Sequence, residues 1–398
     1  MNTFELMPIN LNSVQRTTSI IALNTVSTMA QIGQIGLGLT LFPIALEAKK
    51  VSPEIIGLTS AALWLGMLLG LLVAGKLTRH LGYRKTVIIG LLIGAASFIL
   101  TPLLDWRLWA ITAAAIGFGT GLRWIANETW LYRLAPETAR GRIVGIHETL
   151  ISIATVVGPL IIVALGIVKP TIFWVAAAVL IAACLPLFLA VKLNAVDKMF
   201  LNKTSNKFNL NQLLLFWLGL GGLIAGLGGW IEGSLIALLP VYISDIGFTS
   251  QNTAWLLTLF GVGALLCQFP IGWLADHKGV RFSAKLCAGF ALVATVIALI
   301  FGTHLYALAL SLFIFGGIAG GLLTLGMIWA IQHSKEAGLT NNVRQVSIVY
   351  TSLSALGPML TGFIVSYTSS NSLFWQLLLV VFVLLVILLN SQKNSIKN

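Results

Sequence analysis

The chain has 398 residues, 58% of them hydrophobic and only 9% charged, with 24 lysines and arginines against 12 acidic residues for a formal net charge of +12. A soluble domain carries about 25% charged residues, and a chain of this length would need far more polar surface to cover its core. A soluble globular protein is therefore excluded, and the chain reads as an integral membrane protein.

Residues 1–18 are polar and lack a short apolar core ending in a cleavage site, so no removable signal is expected. A bilayer requires about 20 apolar residues per helix. That ruler gives spans at 19–46, 54–77, 85–104, 108–134, 143–168 and 171–191, forming a first half over 1–191. A lysine-bearing polar linker follows at 192–211. Spans at 213–243, 252–275, 283–303, 305–332, 343–367 and 372–390 complete a second half over 212–398. The expected fold class is an all-α integral membrane protein with twelve transmembrane helices in two six-helix bundles.

The first span carries Asn24, Thr28 and Gln31 on one side, with Gln34 adjoining. Facing lipid, these groups would be unsatisfied; lining a cavity and bonding between helices both fit. Arg123 sits near the middle of the fourth span, where a buried arginine costs at least about 2.5 kcal/mol. At about 100° per residue Thr120, Asn127 and Trp130 share its face, whereas Glu128, with Trp124 and Leu131, lies about 140° away. The two faces are not expected to share a cavity. Arg123 and Asn127 are taken as substrate-cavity residues, and Glu128 as a gating or proton-coupling residue of the first half. Gly117-Phe-Gly-Thr-Gly121 lies in an apolar span with no preceding strand, which points to close helix packing rather than a nucleotide loop.

Arg140-Gly-Arg142 opens the fifth span, and His147 and Glu148, two turns in, are expected at a cytoplasmic gate. The seventh span places Glu232 beside Trp230. A lone carboxylate at that depth reads as a proton carrier, a cation site, an arginine partner or a hydrogen-bonded carboxyl group. Cys184, Cys267 and Cys287 sit in apolar stretches without a C-x-x-C spacing and read as buried small side chains.

With both termini and the linker in the cytoplasm, only Lys49, Lys50, Arg107 and Lys169 among the 24 basic residues face outward, and Arg123 lies within a span. That asymmetry fixes orientation and explains the charge without nucleic acid as a partner.

The two halves repeat. Gly75-Lys-Leu77-Thr-Arg79-His80-Leu-Gly82-Tyr-Arg84 returns 197 residues later as Gly272-Trp-Leu274-Ala-Asp276-His277-Lys-Gly279-Val-Arg281, and Pro43 with Pro240 shares the offset. Gly117 with Gly316, and Gly158-Pro159 with Gly357-Pro358, recur at 199. Parallel repeats of this kind are a transporter architecture.

These residues resemble the major facilitator superfamily, whose signature loop between helices 2 and 3 has the form G-x-L-a-D-r-x-G-r-r. The copy from Gly272 to Arg281 matches, including Asp276; the first copy departs, with Arg79 at the acidic position. Within the superfamily, Trp124 with Glu128, Arg140-Gly-Arg142 and Gln268-Phe-Pro-Ile-Gly272 resemble the bacterial YcaD-like branch. The resemblance implies that helices 1, 4, 7 and 10 line the central path, which selects Gln31, Arg123, Glu232 and Trp329. It also implies a small-molecule solute as partner, with coupling to protons at Glu232 and Glu128, in a monomer spanning the bacterial inner membrane. Ala154 and Gly158-Pro159 match the antiporter motif of helix 5, but Leu160 to Val163 supply none of its glycines. No Walker sequence, metal-ligand cluster or nucleophile triad is present, so neither an ATP engine, an enzyme nor a cofactor is expected.

The expected function is a secondary transporter working by alternating access; a transporter-like sensor that binds without transporting is the alternative. Three contacts are expected: Asp276 with Arg140 or Arg142, Arg79 with Glu336, and Arg123 with Glu232 across the cavity.

Overall fold

The computed structural model describes residues 12–136, 139–166, 170–191, 219–332 and 339–395. Twelve helices among these are long and apolar enough to cross a membrane. The first half holds α1 (Ser13–Ala48), α2 (Pro53–Leu81), α3 (Tyr83–Leu100), α4 (Trp109–Leu134), α5 (Arg140–Leu165) and α6 (Thr171–Ala182). The second holds α7 (Leu220–Asp245), α8 (Ser250–Lys278), α9 (Val280–Phe301), α10 (Leu305–Gln332), α11 (Leu339–Tyr367) and α12 (Ser372–Ser395). No strand occurs among the described residues. The expected linker at 192–211 and Glu336 lie outside them.

The sequence repeat is a packing repeat. With no hydrophobic gain from pressing one apolar helix on another in lipid, association depends on close backbone approach at small residues. Gly117 of α4 lies directly against the Leu63 carbonyl of α2, and Gly316 of α10 lies in the same way against the Phe260 carbonyl of α8. Phe260 is itself 197 positions after Leu63. The turns repeat too: Gly82 and Gly279 end α2 and α8 at φ of 81° and 85°, a left-handed conformation that favours glycine.

The halves meet through α2 with α11, α5 with α8, and α1 with α7. Gly57 packs on the Pro358 backbone and Gly362 on that of Pro53. Trp64 stands edge-on to Tyr350 with ring centroids 6.3 Å apart. Lys50 Nζ, held 2.9 Å from Glu47, also donates across the halves to Ser244 Oγ at 2.9 Å. Nearer the middle, Ser152 Oγ donates to Gln268 Oε1 at 3.3 Å and Gly261 packs on the Thr155 carbonyl. The contacts of Lys50, Gly57 and Gly362 lie toward the end opposite the basic loop motifs. At the motif end, Phe269 and Trp273 of α8 are 79% and 54% exposed and Ile146 of α5 is 50% exposed.

Candidate functional site

Helix α1 is not regular through its polar stripe. Residues Ile32–Leu37 form a π-helical turn, a feature often found at functional sites. Gln31 precedes this turn and Gln34 lies within it. Both reach the same guanidinium: Arg123 Nε donates to Gln34 Oε1 at 3.0 Å and a terminal nitrogen donates to Gln31 Oε1 at 3.1 Å. Gln34 in turn donates to the Gly90 carbonyl of α3 at 3.2 Å. Arg123 is 2% exposed and has no carboxylate within 4 Å among the described residues. Its direct side-chain hydrogen bonds go to neutral amides, while Glu128 acts on its charge from beyond ion-pair distance.

A second chain of contacts runs beside the first. His147 Nδ1 lies 2.8 Å from Asn24 Oδ1, its Nε2 lies 4.0 Å from Glu128, and Glu128 accepts a hydrogen bond from the Trp124 indole. Glu148 and Arg123 are electrostatic neighbours of Glu128, and Tyr132 stands edge-on to the His147 ring. Asn127 donates to Ser27 Oγ at 2.6 Å and to the Leu23 carbonyl at 3.2 Å.

The two faces of α4 thus carry two separate sets of contacts, one to Gln31 and Gln34 and one through His147 to Asn24, related by the electrostatic proximity of Arg123 and Glu128. Neither Arg123 nor Glu128 lines either of the nearby cavities. His147, expected at a cytoplasmic gate, is buried at 1% exposure between Asn24 and Glu128.

Two cavities lie near these residues. One of about 410 Å³ separates α1 from α5 and is lined by Asn24, Thr25, Thr28, Ile143, Ile146 and Leu150, among others. Thr28 spends its hydroxyl proton on the Asn24 carbonyl at 2.9 Å. The other, of about 50 Å³, lies between the halves and is lined by Glu232. Arg123 lines neither.

Other expected residues are placed elsewhere. No ion pair joins Arg123 to Glu232, whose carboxylate faces the smaller cavity instead. Trp230 donates its indole N–H to Gln376 Oε1 of α12 at 2.7 Å, a bond within its own half. Trp329 lies in the last turn of α10, with the Arg281 guanidinium 5.5 Å above its ring. It belongs to the loop-motif end rather than the membrane middle, because it is only a few residues from the helix terminus. Asp276 is exposed and makes no ion pair with Arg142 or another described residue. In the first motif Gly75 has open space around it and Arg84 donates to the Ala190 carbonyl, while Gly272 touches only Thr324 of α10. Arg140 has no described side chain, and the partner expected for Arg79 is outside the described residues.

Sequence reasoning missed the π-helical turn, the buried Glu47 (8% exposed) and its Lys50 bridge. The signal for the last was present in the sequence, since Glu47 and Lys50 stand three residues apart at the end of α1.

The comparisons agree with this architecture. The Major Facilitator Superfamily model matches residues 23–253 and 218–396. The uncharacterized MFS-type transporter YcaD of Escherichia fergusonii is 28% identical over 362 residues, covering 89% of this chain and 91% of that protein. An uncharacterized MFS-type transporter of Yersinia enterocolitica is 29% identical over 364 residues, covering 88% and 90%. Among solved structures, the nucleoside transporter NupG superposes with a TM-score of 0.70 at 13% identity, over 95% of this chain and 99% of that one. A bacterial homologue of the lysosomal transporter Spinster, in an inward-facing and unoccupied conformation, gives 0.72 at 14% identity over 95% and 96%. Twelve apolar spans in two repeated bundles, the paired loop motifs and the family match over nearly the whole length lead to one assignment: the chain belongs to the major facilitator superfamily.

Proposed function

We propose that the protein is a secondary active transporter that moves a small solute by alternating access, with Arg123 and its two glutamines at the heart of the substrate site. The observation that carries this reading is the buried guanidinium whose direct hydrogen bonds end on neutral amides, with no carboxylate in contact among the described residues. An arginine kept in a membrane interior without a direct ion pair is an expensive group whose natural complement is an anionic or strongly accepting group on a solute. The cavity between α1 and α5 supplies an approach to the His147 and Glu128 group beside Arg123, since Asn24 both lines it and contacts His147.

Glu128, beside His147 and Glu148, is assigned proton exchange: a proton arriving there changes the charge next to Arg123 and so its hold on a substrate. Both termini are assigned to the cytoplasm from the loop charges, which places the basic loop motifs at the inner end. The protein acts as a monomer, each half rocking on the other about the contacts between α2 and α11 and between α5 and α8. The test is flux into proteoliposomes of radiolabelled candidate solutes, chosen from a thermal-shift screen. Wild-type protein should transport a stabilising solute and Arg123→Ala should not. Equal flux by both, or saturable binding without flux, would rule the proposal out.

A further inference from the structure

The smaller cavity has a composition that the contacts of Arg123 and His147 do not explain. It is closed in by both halves: Gly36 and Thr40 of α1 and Thr155 and Pro159 of α5 on one side, Glu232 of α7 and Gly261 of α8 on the other. Its remaining lining is aliphatic or aromatic side chains.

Its polar groups are all acceptors. Thr40 gives its hydroxyl proton to the Gly36 carbonyl at 2.6 Å, and Thr155 gives its own to the Ser152 carbonyl at 2.7 Å. Each hydroxyl therefore has only lone pairs left to offer. Pro159, inside α5, has no N–H, so the Thr155 carbonyl loses the donor that a regular helix would supply four residues later. That carbonyl faces Gly261, where a Cβ would come within 3.0 Å of it. The Glu232 carboxylate adds two oxygens, and no hydrogen bond or ion pair joins it to a described residue. No lysine, arginine, histidine or amide N–H side chain lines the space.

A pocket whose polar groups are all acceptors around one carboxylate lacks a positive partner. We infer that this cavity between the halves is a binding site for a small monovalent metal cation of sodium size, held by the Glu232 carboxylate, the Thr40 and Thr155 hydroxyls and the Thr155 carbonyl. A proton on Glu232 would need no cavity, whereas about 50 Å³ exceeds the roughly 10–15 Å³ that admits one water and accommodates a dehydrated ion with a water. Hard oxygen donors of this kind suit such ions, and thiolate or imidazole metals find nothing here. Because its ligands come from both halves, an ion at this site ties α1 and α5 to α7 and α8. That would make it a coupling ion; this role, but not the binding, rests on the transport reading above.

The experiment is thermal unfolding of the purified full chain in detergent, with NaCl replaced stepwise by choline chloride or KCl at constant ionic strength. Sodium should raise the midpoint by a few degrees in a saturable manner, choline should not, and potassium should act only at much higher concentration. Glu232→Gln should abolish the sodium response, and the near-isosteric Thr155→Val should shift its half-saturation to at least tenfold higher sodium. Binding of radioactive sodium to the same wild-type and variant proteins gives a readout independent of unfolding. No sodium-specific shift and no sodium binding, a response to pH alone, or an unchanged response in Glu232→Gln would each overturn the site. Solute flux driven by a proton gradient without sodium, alongside any of those results, would remove the cation site and leave the transport reading standing.

Discussion

Replacing Arg123 with methionine separates a functional arginine from a structural strut. The side chain is 2% exposed and its hydrogen bonds of 3.0 and 3.1 Å end on the oxygens of Gln34 and Gln31. Methionine spans most of the same length without charge. It leaves two buried amide oxygens without donors, at about 1–3 kcal/mol each. It also removes a charge whose placement in a membrane interior costs about 2.5–3.5 kcal/mol on the insertion scale. Taking the middle of each range, the two nearly cancel, and the net destabilisation is about 1 kcal/mol. For a cooperative unit of 150–250 residues that lowers the unfolding midpoint by about 2–4 °C. Arg123→Met should therefore express and unfold almost as the wild type does while solute flux is lost. Arg123→Lys keeps the charge but not the fork that reaches both glutamines, and should retain weak flux. A midpoint drop above 10 °C, or full flux in Arg123→Met, would refute the reasoning.

Gly117→Leu and its repeat partner Gly316→Leu should each destabilise by at least about 1–3 kcal/mol through overpacking against the Leu63 and Phe260 carbonyls, whereas Gly289→Ala, with open space around it, should unfold with the wild type; thermal unfolding in detergent checks all three. Reporter fusions at Asn206 and Asn398 should both give cytoplasmic signals, and a periplasmic signal from either would reverse the orientation. Glu128→Gln should remove the pH dependence of flux while preserving binding of the solute in a thermal-shift assay; an unchanged pH profile would exclude Glu128 as the proton-exchanging group. Lys50→Ala removes a bridge between the halves, but an exposed pair contributes about 0–1 kcal/mol, so only the balance of conformations, read by distance distributions, should move.

The fold was legible because its two determinants are local. Span count follows from apolar run length, and the bundle repeat follows from motifs such as Gly82 and Gly279, whose left-handed backbone restricts the residue at that turn. The site was legible in composition but not in connection. Gln31, Gln34 and Arg123 stood out as polar groups in apolar spans, yet that they would bond to one another depends on a π-helical turn with no local signature. Glu232 stood out for the same reason, but its surroundings come from Thr40, Thr155 and Pro159, far away in the chain and on the other half. Trp329 was misplaced because a helix-level assignment to the central path ignores depth along the helix. Trp64 against Tyr350 carried no signal at all, since an edge-to-face pair between α2 and α11 leaves each residue looking like any aromatic in a span.

Alternating access is the central claim, and distance measurement between the halves addresses it most directly. His80 at the end of α2 and His277 at the end of α8 are exposed positions on opposite halves at the motif end; Lys49 and Ser250 lie at the other end on opposite halves. After Cys184, Cys267 and Cys287 are replaced by serine, spin labels at each pair report that end by electron–electron double resonance in liposomes. The account predicts two distance populations for each pair, with conditions that shorten the His80–His277 distance lengthening the Lys49–Ser250 distance. A single unchanging distance at both ends, with and without an ion gradient, would contradict it.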